Sequence, residues 1–313
     1  MSFSPGSLRA PALLVSVAAL ACCPALAADG SAGPIPWWAW PALLFAACFV
    51  LGIVAVPAGV GGGVLFVPIV GGLFPFHLDF VRGAGLMVAL ASALAASPGL
   101  LQVGLASLRL ALPLSLLVGI SQIAGAVAGL TLPAAVVQTM LGLSILGIVV
   151  LMWKAKTAEL PAVEKPDAIA TALRLNGVYY DIARARPVEW TVHRTPTGFV
   201  TFVFIGLLAG MFGLGAGWAN VPALNLMMGA PLKVAAGTSS LILAMSSSAA
   251  WVYINQGAMI PIIVVPSVIG MMLGAMVGVR LLRVVSAATL RRLVTTVLLI
   301  AGVRALVHGL GTF

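Results

Sequence analysis

Charge is the scarcest commodity in this sequence. Of 313 residues, 16 are Lys or Arg and 7 are Asp or Glu, against 62% hydrophobic residues and a mean hydropathy of +1.18. A chain this poor in polar surface cannot face water on all sides, so a soluble globular protein is excluded and lipid is the expected solvent. Cysteine is equally sparse: Cys22 and Cys23 lie together near the N-terminus and Cys48 stands alone, too few for a disulfide framework or a metal cluster. Of the three histidines, His77 lies in an outer loop, His193 in the linker and His308 near the C-terminus, and they form no imidazole pair suited to a metal. No Asp, Glu, Lys or Arg falls in the middle of a run, which removes an intramembrane carboxylate relay. With no carboxylate pair, nucleophilic triad or phosphate-loop lysine, the chain is not read as an enzyme, and no cofactor or metal is expected. The net charge of +9 would suggest nucleic acid in a soluble protein; here the basic residues collect in short loops, as membrane topology requires, and nucleic acid is not a partner.

What is present is glycine, and it comes twice. Gly52, Ala55, Gly59, Gly61, Gly63, Pro68, Gly83, Ser92, Ala95, Ala96 and Gln102 recur without a gap 154 residues later as Gly206, Ala209, Gly213, Gly215, Gly217, Pro222, Gly237, Ser246, Ala249, Ala250 and Gln256. Duplicated halves whose hydrophobic segments are interrupted at matching positions point to a secondary transporter with its site where the repeats meet.

Residues 1–27 read as a signal peptide: Arg9 is followed by an apolar run over residues 10–21, shorter than a membrane span, and by Ala25-Leu26-Ala27. Hydrophobic runs then cover about residues 38–57, a short 64–76, 83–104, 110–130 and 133–153. The order restarts with 197–212, a short 218–228, 234–256, 259–279 and 290–308. The short pieces, at roughly 12 residues and about 18 Å, fall well under the ~30 Å hydrocarbon core. The expectation is an all-α polytopic membrane protein with transmembrane repeats at residues 37–153 and 197–310, each a broken helical hairpin plus three transmembrane helices. A linker at 154–196, too short for its own core, is expected to be a solvated cytoplasmic connector. With the linker inside, 13 of the 16 basic residues face the cytoplasm, and only Arg82 and Arg304 oppose this in the mature chain. A return hairpin plus three crossings is odd, so the two repeats should be inverted in topology.

Glycines admit close backbone approach, and a half-helix starting after them presents free N–H groups and a partial positive charge. Such a place favours an anion. The candidate substrate-binding residues are therefore Gly61, Gly62, Gly63, Gly215 and Gly217 with Asn220, Thr238, Ser239 and Ser246, whose amide and hydroxyls donate without a buried charge. Gly52, Gly206, Gly274 and Gly278 are read as helix-packing residues instead. In the first repeat Ser92 matches Ser246, but Gly85 and Leu86 replace Ser239 and Ser240, so an asymmetric site is expected.

The half-motif Gly59-x-Gly61-Gly62-Gly63-x4-Pro68, its echo from Gly213 to Pro222, and the run Ala235-Ala236-Gly237-Thr238-Ser239 followed by Ser246 and Tyr253-x-x-x-Gly257 resemble the TauE/SafE family of sulfite exporters and organosulfonate permeases. The resemblance covers about residues 42–310 and departs from the family pattern at Arg82-Gly83-Ala84-Gly85. It implies a multi-pass protein of the bacterial cytoplasmic membrane, without a cofactor, moving sulfite or an organosulfonate by alternating access. A carrier or channel for a metal ion or small neutral solute is the alternative. Expected partners are a small anion and the bilayer, with homo-oligomerisation left open.

Overall fold

The computed structural model describes residues 38–55, 61–74, 76–102, 104–154, 167–181 and 186–281, with a few helical positions between 296 and 307. The expected signal peptide, Gly59 and most of the final span lie outside the described residues. The first half comprises α1 (Ala39–Ala55), α2 (Gly62–Leu73), α3 (Leu78–Gln102), α4 (Leu108–Thr131) and α5 (Ala134–Lys154). A connector follows with α6 (Ala168–Ala172) and an antiparallel hairpin, β1 (Gly177–Asp181) and β2 (Arg186–Trp190). The second half has α7 (Thr195–Phe212), α8 (Gly217–Pro222) continuing into a π-helical turn (Ala223–Met227), α9 (Leu232–Ser246), a 3-10 turn (Ser247–Ala249), α10 (Ala250–Asn255) and α11 (Pro261–Leu281). Shifting the first half by 154 residues lays α1 on α7, α2 on α8 and its π turn, α3 on α9–α10, and α4 on α11, so the repeated letters correspond to a repeated order of elements.

Long apolar runs become helices because lipid offers the backbone no hydrogen bonds. Four described helices are long and apolar enough to cross a membrane: Leu78–Gln102, Leu108–Thr131, Thr195–Phe212 and Pro261–Gly278. Gly213 ends α7 in the left-handed conformation (φ 68°, ψ 16°), which a Cβ would disfavour. Pro196 sits in the first turn of α7, where its missing N–H costs nothing.

The halves pack reciprocally. α1 makes its most extensive contacts with α11, and its counterpart α7 does so with α4, the counterpart of α11. The seams repeat down to single residues. A side chain at Gly52 would strike the backbone of Met271 (2.7 Å) and Ala275 (2.8 Å), and one at Gly206 would strike Val118 (2.7 Å) and the hydroxyl of Ser121, the residue equivalent to Ala275. Gly274 lies against the Phe49 carbonyl and Gly125 against that of Leu207. Without a hydrophobic drive between helices in lipid, such small-residue seams supply the van der Waals contact that holds them. Contacts in which i meets j and j's counterpart meets i's counterpart are what a two-fold arrangement produces.

Two large apolar cores result, besides a smaller cluster of Leu86, Ala126, Ala249, Tyr253 and Ala258. One gathers Leu44, Cys48, Phe66, Val70, Ile145 and Met271; the other gathers Leu114, Val118, Phe202, Ile205, Leu224 and Leu243. α3 contributes to both, with Val81, Ala84 and Val88 in the first and Ala89 and Ala93 in the second.

Three departures from the sequence reading matter. α3 begins at Leu78 rather than near residue 83, so Arg82 is not a loop residue: it lies inside the helix and is buried, 1% exposed. The second-half counterpart of α3 is interrupted at residues 247–249, where the hydroxyl of Ser247 bonds the Leu243 carbonyl (2.9 Å) and that of Ser248 bonds the Gly119 carbonyl (2.7 Å). Hydroxyls there compete for helix carbonyls, whereas α3 has Ala93, Leu94 and Ala95 at the matching positions and runs through. Finally, the connector is not a solvated tether. Ala170, Leu175, Tyr179, Trp190 and Val192 are buried in the second core, so it borrows a core it is too short to build. Asp167 caps α6 through the Ala170 N–H (2.9 Å) and binds the N–H and hydroxyl of Thr195 (2.8 Å each), tying the connector to the start of α7.

Candidate functional site

The two glycine breaks converge. Gly61 and Gly215, equivalent by the 154-residue shift, share one backbone twist, φ +69° in both, outside the range L side chains favour. A methyl built on Gly61 would lie 3.3 Å from Leu243 Cδ2 and 3.8 Å from Gly217 Cα; one on Gly215 would lie 2.8 Å from Ala89 Cβ and 2.9 Å from Leu243 Cδ1. Ala89 and Leu243 are themselves equivalent, so each long helix presses the same position onto the crossing. Gly63 completes it, its open flank facing the Leu214 carbonyl (2.5 Å), the Gly85 carbonyl (2.8 Å) and Ala89 Cβ (2.9 Å). Of the sequence-derived candidates, Gly61, Gly63, Gly215 and Gly217 therefore meet in one place.

Gly62 and Ser92 form a closed pair. The Gly62 N–H at the start of α2 donates to Ser92 Oγ (3.1 Å), and the Ser92 hydroxyl donates to the Ala89 carbonyl (2.8 Å). One of the four orphan N–H groups at a helix start is thus satisfied within the protein. The counterpart of Ser92 is Ser246, the last residue of α9, buried and with no partner for its hydroxyl. The counterpart of Gly62 is Ala216, which immediately precedes α8.

Asn220 stands one turn into α8, fully buried, and neither its Oδ1 nor its Nδ2 has a partner. Its first-half counterpart is Phe66, equally buried. Trp218, one helical step before it, also has a buried Nε1 without a partner and packs against both cores. The sequence reading missed Trp218; its signal was present in the mismatch with Val64 at the equivalent position. A buried donor without an acceptor costs about 1–3 kcal/mol, so these groups on α8 and at the end of α9 need an explanation.

Thr238 and Ser239 lie farther along α9 and are buried. Thr238 Oγ1 accepts the N–H of Ser107 (3.1 Å), the residue whose hydroxyl caps α4, so it fastens the α3–α4 loop to α9. A cavity of about 280 Å³ opens elsewhere, between that loop and the hairpin, lined by Ser107, Arg109, Asn176, Trp190 and Val234. It is remote in sequence and structure from the glycine crossing, whose groups are buried rather than open.

A charged group, Arg82, borders the second break. Its Nη1 donates to Asp79 Oδ1 (2.7 Å) and the Gly129 carbonyl (3.3 Å), its Nη2 donates to the Met211 carbonyl, and its guanidinium lies 5.5 Å from the centre of the Tyr253 ring. Its backbone is in direct contact with Gly213. Sequence reasoning placed Arg82 outside the membrane because the apolar run was taken to start one residue later.

No curated protein and no solved structure matches the chain. Residues 44–305 match the family described as Sulfite exporter TauE/SafE. That span takes in both breaks, both long helices and every residue of the crossing, and the chain accordingly belongs to the Sulfite exporter TauE/SafE family of multi-pass membrane transporters.

Proposed function

We propose that this chain is a permease of the bacterial cytoplasmic membrane for a small anion, sulfite or an organosulfonate, working by alternating access between two repeats of opposite membrane orientation. The observation that carries the reading is the set of unpartnered buried groups at Trp218, Asn220 and Ser246. Indole N–H only donates, and the amide and hydroxyl can do the same, so the set is suited to a ligand rich in acceptor oxygens. A divalent cation would find the donor-only indole N–H of Trp218 facing it, which weighs against the metal-ion alternative. The backbone at Gly61, Gly62, Gly63, Gly215 and Gly217 allows close approach, with Asn220 and Ser246 as side-chain donors. Thr238 and Ser239 extend the same buried face of α9. Reciprocal packing of α1 on α11 and α7 on α4 supports repeats related by a two-fold, and the basic loops support placing that axis in the membrane plane.

Two experiments test this. In protein reconstituted into liposomes, Asn220→Ala should weaken sulfite binding by roughly ten- to a hundredfold, the value of about 1.5–3 kcal/mol for a hydrogen bond to a charged group. Unchanged affinity in folded protein would place the site elsewhere, and flux of a divalent cation in place of sulfite would favour the rival class. For orientation, Lys165→Cys in a cysteine-free background should resist impermeant reagents added to intact cells; labelling from outside would overturn the inverted arrangement.

A further inference from the structure

We infer that Arg82 is the fixed positive charge that makes this site select anions over neutral solutes, acting on the substrate from the end of the helix stripe that lines both breaks; this rests on the anion reading above. Arg82, Gly85, Ala89 and Ser92 are spaced by three, four and three residues and so share one face of α3. Each of the last three meets a break: a methyl built on Gly85 would lie 2.5 Å from the Gly213 carbonyl oxygen, Ala89 Cβ borders Gly63 and Gly215, and Ser92 accepts the Gly62 N–H. Arg82 is the next member of that row, seven residues from Ala89 and therefore about 10 Å along the helix from the crossing.

The Arg82 side chain is buried, at 1% exposure. One carboxylate faces it, Asp79, whose side chain is 33% exposed and also lies 3.5 Å from His77. The remaining partners are neutral carbonyls and the Tyr253 ring, and Nε has no partner. A purely structural account would make Arg82 the cap of α7. That duty is already discharged: the Tyr253 hydroxyl donates to the carbonyls of Gly210 (2.9 Å) and Met211 (3.4 Å). Capping alone does not require a buried cation in lipid, where ionisable residues are rare and tied to function. The donors at Trp218, Asn220 and Ser246 are all neutral and would hold a neutral acceptor as readily as an oxyanion. A positive charge on a residue about 10 Å along α3 from Ala89 supplies the discrimination they lack, worth at most roughly tenfold in affinity for a monoanion at an effective dielectric near 20.

The test is sulfite binding to the purified full-length protein, by calorimetry, in wild type, Arg82→Gln, Arg82→Lys and Asp79→Asn. Arg82→Gln should weaken sulfite about tenfold, Arg82→Lys should stay within about twofold, and Asp79→Asn should tighten binding by two- to threefold because it removes the partial neutralisation. Equal losses in Gln and Lys variants would make Arg82 a geometric clamp and overturn the inference. So would unchanged affinity in Asp79→Asn, which also decides the matter if Arg82→Gln fails to fold. If Arg82→Gln and Asp79→Asn both bind like wild type while Asn220→Ala still loses affinity, the charge role fails and the anion reading stands. Failure of the wild type to bind sulfite removes both.

Discussion

Where the first half places Phe66, the second places Asn220; where the first has Val64, the second has Trp218; and where Ser92 is bonded on both sides, Ser246 has no partner. The backbone at these positions is shared, down to the φ of +69° at Gly61 and Gly215. Repetition is therefore kept at the parts that pack alike, the breaks and the small-residue seams. The differences include the side chains with hydrogen-bonding capacity. The first half contributes the charge, Arg82, opposite Ala236 in the second, and the second contributes the neutral donors. The site proposed above therefore draws on both halves, as a ligand bound where they meet would require.

The sharpest way to break the comparison is to load both breaks equally. Gly61→Ala and Gly215→Ala each force a residue with a Cβ to positive φ, at a cost of about 1–3 kcal/mol. At Gly61 the new methyl finds its nearest neighbour at 3.3 Å, a flexible leucine end, and little more is added. At Gly215 it meets Ala89 Cβ at 2.8 Å and Leu243 Cδ1 at 2.9 Å, and overpacking adds about 1–3 kcal/mol. Thermal unfolding in detergent should show Gly215→Ala to be clearly the less stable. Equal losses would mean that the second break has the slack of the first and that the crossing is looser than these contacts.

Next in size is a pair of serine deletions with opposite signatures. Ser92→Ala takes the acceptor from the buried Gly62 N–H and should cost about 1–3 kcal/mol of stability with little change in sulfite affinity. Ser246→Ala removes a buried hydroxyl that has no partner, so stability should hold or rise, by up to about 1–3 kcal/mol, while affinity falls about tenfold. If both variants lose stability alike, Ser246 is a structural residue with a protein partner, and the asymmetry of the halves is smaller than drawn here.

The element order, the breaks and the packing glycines were legible in the sequence because each is written in one-dimensional code: run length, a glycine cluster, a repeated letter. Gly52 and Gly206 were readable as a seam from their shared position alone. Arg82 was not, since a charge beside an apolar run looks like a loop until three turns of other helices are seen to enclose it. Trp218 was overlooked because an indole in an apolar run is ordinarily core, and only the absence of an acceptor for its Nε1 sets it apart. The hairpin escaped because its buried residues, Tyr179 and Trp190, are covered by helices distant in sequence. Convergence of Gly61 on Gly217 needed the fold itself, for no local pattern reports which residues meet.

The smallest expected effect concerns how the halves begin. α7 starts at Thr195, held by Asp167, while the equivalent position in α1 is Pro41, which has no N–H or hydroxyl to be held. Burial alone would push the Asp167 carboxyl up, but hydrogen bonds from the Thr195 hydroxyl, the Ala170 N–H and the Thr195 N–H outweigh it and hold the group below its usual value. A carboxylate with a depressed folded pKa contributes stability that is complete above the ordinary aspartate value near ~4 and is lost as pH falls through the folded one. Acidification below about pH 4 should therefore loosen the connector and the first turn of α7 before it affects α1. Hydrogen exchange at Ala170 and Thr195 should accelerate in that window, with residues in the first turns of α1 unchanged. Asp167→Asn, which keeps the shape but not the titration, should exchange faster at neutral pH and respond less to acid. An unaltered acid response in that variant would assign the loosening to another group and leave the Thr195 anchor as packing alone.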